Sequence, residues 1–110
     1  MTNKTISQYD SLTISRSIAD VDAVLSLLRR QADALRVRHA LEAAARTIDT
    51  CSQKVRGSLA RTQTILAHAD LAALRDGGDI DISALARVLQ SLRDTVQRLR
   101  GERDVVLAGA

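Results

Sequence analysis

Apolar residues fall at Ile82, Leu85, Leu89, Leu92, Val96, Leu99 and Val106, in steps of three, four, three, four, three and seven, with Arg103 in the skipped position. That rhythm keeps one stripe on one face of a helix and predicts a helix over about 82–107. A single apolar face does not offset the conformational entropy of ordering such a helix. The stripe therefore has to be shared with other helices.

Two further stripes precede it. The first runs Ile14, Ile18, Val21, Leu25, Leu28, Ala32, Leu35, and the second runs Leu41, Ala44, Ile48, Cys51, Val55, Leu59, Thr62, Leu66, Ala69, Ala73. Each keeps steps of three and four, but a jump of six joins them. On one continuous cylinder they face roughly opposite ways. No Gly, Pro or Asn lies between Leu35 and Leu41 to end a helix. The preferred reading is one helix over about 15–75, bent near 37–40 at most. The alternative is a turn at 37–40. Gly57 sits inside the second stripe without shifting its phase, so it reads as a soft spot costing about 1 kcal/mol. Thr47 to Ser58 is the poorest helix-forming stretch.

The one firm break is Arg75-Asp76-Gly77-Gly78-Asp79. It predicts a turn over 76–81, with Gly77 or Gly78 in a left-handed cap and Asp79, Asp81 or Ser83 capping the next helix. Residues 1–11 are polar and rich in Ser and Thr, and read as a flexible tail. Ser17 with Asp20 has capping-box spacing, and Ser11 is a rival start.

The pattern thus predicts an all-α chain in which residues 12–110 form a single helical domain. A long or bent helix and a return helix would make an antiparallel coiled-coil hairpin, or a three-helix bundle if the chain turns near 37–40. Ile18–Arg36 and Ile82–Arg100 also align without gaps, which suggests two similar packings against the middle of the chain.

The phase jump has a functional consequence. If the long helix is continuous, Ile18, Val21, Leu25, Leu28 and Leu35 stay uncovered, and a second copy or a dedicated helical partner should cover them. This predicts a homo-oligomer or a heteromeric complex.

Composition narrows the options. Tyr9 is the only aromatic residue and proline is absent, which suits narrow helix–helix seams of Leu, Val, Ile and Ala. Net charge is +3, because 16 bases are interleaved with 13 acids. If the helix is continuous, Arg29, Arg36, Lys54 and Arg61 share one narrow arc, a basic patch able to meet nucleic acid. Cys51 is the single cysteine, so an internal disulfide is excluded. No apolar run approaches the ~20 residues of a membrane span. The polar N-terminal stretch lacks a signal-peptide core, so a cytoplasmic protein is expected, with signal-less export as the alternative.

Catalytic and metal chemistry find little support. His39, Cys51 and His68 are separated by 12 and 17 positions, which match no metal-ligand motif. The aspartates of 76–81 read as turn and capping residues, and no nucleophile–base constellation is recognisable. No enzyme activity, metal or cofactor is expected. His39-Ala40-Leu41-Glu42-Ala43 resembles the phosphoacceptor helix of histidine phosphotransfer domains, with Glu42 and Ala43 where that family has Lys and Gly. The resemblance implies a degenerate phosphotransfer-like domain with His39 as acceptor. The leading expectation is a small helical interaction protein, a scaffold, chaperone-like or adaptor subunit. Nucleic-acid binding is second, and the phosphotransfer-like role third.

Overall fold

Four helices, not two, carry these stripes: α1 (Thr2–Arg29), α2 (Ala34–Lys54), α3 (Ser58–Asp76) and α4 (Ile82–Gly109). The computed structural model describes the backbone of residues 2–77 and 79–109 and the side chains of 6–77 and 79–101. Among the described residues there is no strand.

Neighbouring helices run antiparallel, as the cross-helix contacts and the short turns show, with Ala73 and Leu74 of α3 beside Ala84 of α4. Asp20 on α1 meets Thr47 on α2, Asp10 reaches the α2–α3 turn, and Gln63 on α3 meets Ser91 on α4. Asp22 and Arg93 pair α1 with α4 at 3.7 Å. The result is an up-down-up-down bundle extending 51 × 23 × 16 Å.

The α4 stripe is buried as its spacing predicts. Leu85, Leu89, Leu92, Val96 and Leu99 lie in the core, while Ile82 is exposed at its start. Val88 and Thr95 are buried beside them, so α4 turns a wider face inward than a two-stranded seam would. The side chain of Val106 lies outside the described residues. The main neighbour of α4 is α1, so α4 does not simply return along the second stripe. The two aligned segments of the internal repeat therefore pack largely on each other.

The expected 15–75 helix is broken twice. The first break is at Arg30–Asp33, earlier than the 37–40 bend. There Gln31 N–H donates to the Leu28 carbonyl at 3.1 Å and Ala32 N–H to the Leu27 carbonyl at 3.0 Å, the paired bonds of a Schellman cap. Gln31 takes the left-handed conformation, φ 56°, that glycine or asparagine usually supplies. Leu27 and Ala32, the third-last and second-following positions, both pack against the core. Asp33 then caps α2, accepting from Leu35 N–H at 3.4 Å.

The second break is at Val55–Gly57, where Gly57 is the N-cap of α3 and no mere soft spot. The second stripe is buried as far as Val55, then slips by one to two residues. Ala60, Thr64, Ala67 and Leu71 point inward, and Leu66 is exposed. Asp10 on α1 braces this break. Its carboxylate is fully buried and accepts from Arg56 N–H at 2.9 Å and Gly57 N–H at 2.7 Å. A tertiary acceptor thus replaces the intrahelical bonds given up at the break.

The expected tail over 1–11 is also corrected, because α1 begins at Thr2. Ser11 and Ser17 are buried mid-helix and are not starts. Ser17 Oγ lies 3.3 Å from the Thr13 carbonyl, the back-bond by which a serine is tolerated inside a helix. At the third turn the break and the aspartate cap agree with expectation, but the left-handed conformation expected of Gly77 does not. Asp81 caps α4, accepting from Ser83 N–H at 2.9 Å. Gly77 is right-handed, with φ −79°, and Gly78 lies outside the described residues.

Candidate functional site

The fully buried face of α3 is made of small residues, Ala60, Thr64 and Ala67, with Leu71 as its large side chain and Leu74 half-buried beyond it. Such a face anchors α3 only lightly, and its contact with α4 is the slimmest between helices adjacent in sequence. Between them runs a groove of about 560 Å³. Leu66, Ala67, Ala73 and Leu74 line it from α3, and Ala84 and Val88 from α4, with Asp70 and Arg87 among its polar residues. Ser91 Oγ meets Gln63 Oε1 at 3.3 Å across it. Leu66 is 53% exposed. From Gln63 to Leu74 the groove extends about 17 Å at 1.5 Å per residue, room for about three turns of another helix.

The expected partner seam is dispersed. Val21 and Leu25 are core residues, and Ile18 and Leu28 are half-buried against the core. The turn at Arg30–Asp33 folds this stripe inward, which removes the uncovered stripe expected of a continuous helix. Leu35 alone stays open, at 60% exposure. Leu28 and Leu35 do meet, in a cleft of about 460 Å³ between the two turns at one end of the bundle, with Val37 and Ile80.

The expected basic patch is divided as well. Arg29, Arg36, Lys54 and Arg61 are all exposed, but the breaks put them on three helices. Arg36 and Lys54 stand at opposite ends of α2, about 27 Å apart along its axis. Arg61 is engaged structurally, its guanidinium donating to the Val55 carbonyl at 3.2 Å.

His39 is exposed on the second turn of α2, and Glu42, one turn on, is half-buried. Among the described residues no cluster of His, Cys, Asp or Glu could hold a metal ion, and no helix is long and apolar enough to cross a membrane. Cys51 is buried, and loss of solvation raises its thiol above the ordinary 9.0. The Ser17 hydroxyl and Lys54 oppose that shift, and Asp10 adds to it.

Reading the sequence missed the α3–α4 groove because the second stripe assigned Leu66 inward. The signal that could have found it is the run of small residues on the opposite face, Ala60, Thr64 and Ala67. No protein family, curated protein or solved structure matches this chain.

Proposed function

We propose that this chain is a small helical interaction module, a scaffold or adaptor subunit that works by binding. The site of binding is the α3–α4 groove, and the occupant is an amphipathic helix of another protein or of a second copy. The observation that supports this reading is the apolar groove bordered by Leu66, Leu74 and Val88 beside a lightly anchored helix. Asp70 and Arg87, of opposite charge, would orient a helix laid between them.

Photocrosslinking in the source cell tests it. A photoreactive residue replacing Leu66 should capture one defined protein, or a second copy, and the same residue replacing exposed Arg100 should capture nothing defined. Equal and diffuse capture at both positions would refute the groove as the binding site.

A further inference from the structure

The opposite side of the bundle carries a different kind of groove. Between α1 and α2 lies a depression of about 400 Å³ lined by Tyr9, Thr13, Arg16, Ser17, Arg46, Thr47, Thr50, Cys51 and Lys54. Arg46, Thr50 and Lys54 are spaced by four and form one face of α2, opposite Thr13, Arg16 and Ser17 on α1. Three of the lining residues are cations and none is a carboxylate.

Among the described residues no carboxylate stands within ion-pair distance of these cations. The ion pairs among the described residues are Arg75–Asp76 and Asp22–Arg93, and neither involves Arg16, Arg46 or Lys54. A further cation borders one end, where the Arg56 guanidinium stacks over the Tyr9 ring at 5.1 Å. Four carboxylates stand nearby in the sequence or the fold, Asp10, Asp20, Glu42 and Asp49, and they keep their charge, but none lines the groove. Asp20 accepts from Thr47 Oγ1 at 2.7 Å, and Asp10 from two backbone N–H groups. The lining itself holds three cations with no ion pair among the described residues, which concentrates positive potential inside the concave site.

We propose that this groove binds a small, multiply charged phosphate anion through Arg16, Arg46 and Lys54. The guanidinium groups of Arg16 and Arg46 supply bidentate donors and Lys54 a point charge. Thr50, whose hydroxyl holds no hydrogen bond among the described residues, adds a neutral donor. The groove is the size of a small-ligand site, and its Tyr9 end is closed by the Arg56 stack.

Inorganic pyrophosphate is the probe, titrated calorimetrically into the whole protein at low salt. Binding with Kd below about 1 mM is expected, weakening as salt rises. Backbone amide shifts by NMR should be confined to the 13–17 and 46–54 segments. Arg46→Gln with Lys54→Gln should weaken binding at least tenfold while leaving the fold intact, because both side chains are exposed. Arg30→Gln with Arg100→Gln removes the same charge elsewhere and should change Kd less than twofold. Equal weakening by the two pairs would reduce the effect to net charge and overturn the site, as would shifts on other faces or no binding beyond that of chloride. Glycerol phosphate and inorganic phosphate separate the sources: tighter binding of the first assigns an organic phosphate, and equal binding a free anion. A single-stranded oligonucleotide binding more than tenfold tighter than pyrophosphate would overturn the small-anion assignment.

Discussion

Asp10 is the residue whose removal should reveal most about this bundle. Its fully buried carboxylate accepts two backbone N–H bonds, at 2.9 and 2.7 Å, from the turn that starts α3. Asp10→Ala leaves both donors without a partner. Hydrogen bonds to a charged acceptor contribute about 1.5–3 kcal/mol each, and truncation also relieves the carboxylate's own desolvation, so the lower end applies. The expected loss is about 3 kcal/mol. With an unfolding entropy of about 2.1 cal/mol/K per residue, that lowers Tm by about 13 °C in a chain of 110 residues. Gly57 sharpens the test. Its φ of −76° and ψ of 147° suit any residue, so strain does not require glycine there. Space does, since a Cβ at Gly57 would stand 3.0 Å from Asp10 Oδ2. Gly57→Ala should therefore cost about 1 kcal/mol in the native background, crowding outweighing the entropic gain. In the Asp10→Ala background the clash is gone, and the same change should be near neutral, the entropic gain offset by alanine's poorer capping. Urea unfolding followed by far-UV circular dichroism, at unchanged m, gives all four corners of the cycle. If Gly57→Ala has one effect in both backgrounds, or Asp10→Ala stays within about 0.5 kcal/mol of the native chain, the carboxylate does not hold this turn.

Gln31→Gly should stabilise the protein by about 1 kcal/mol, since glycine adopts φ 56° without steric cost, whereas Gln31→Val should destabilise it. A lower Tm for the glycine variant would contradict the left-handed cap. Leu25→Ala should cost about 3 kcal/mol because Leu25 is buried; a near-neutral effect would mean that the first stripe faces outward after all. Leu66→Asp should leave urea stability within about 0.5 kcal/mol of the native chain, and Leu89→Asp should unfold it. Cys51 supplies the pH test. Its folded thiol ionises above the ordinary 9.0, so the native state keeps the proton that the unfolded chain loses first. That contribution is complete below 9.0 and declines as pH rises through the folded value. Between about pH 8 and pH 10 the native chain should lose more stability than Cys51→Ala, and parallel declines would refute the assignment.

The helical class and the α4 stripe were legible because each seam residue there is local information. Leu85 through Leu99 are buried as their spacing requires, and the acidic Gly-containing turn ends where its residues imply. The two breaks inside the expected long helix were not legible, for one shared reason. Each depends on a contact that local propensity does not encode. At Gln31 a poor left-handed residue is carried by packing of Leu27 and Ala32 on the core. At Val55–Gly57 the compensation comes from a residue 46 and 47 positions away in sequence. The available hints were small: Asp33 just before a helical run, and Asp10 midway between Ile6 and Ile14 on an apolar face. A carboxylate in such a place announces a buried donor. The same breaks explain why the expected site residues scattered. The seam and the basic patch were both drawn on a continuous cylinder, and both dissolved when that cylinder became two hairpin turns.

The pairing of α1 with α4 sets the order in which the chain can assemble. Each hairpin, α1–α2 and α3–α4, closes over a loop of a few residues and can form early. The most extensive interface instead joins segments such as Asp22 and Arg93, at opposite ends of the sequence. It must wait for loop-closure entropy to be met by the hairpins already in place. On any route that closes the hairpins first, Leu85, Leu89 and Leu92 still lack their main cover until α1 and α4 dock. During that interval the stripe that is innermost in the finished bundle is the surface most open to association with other chains.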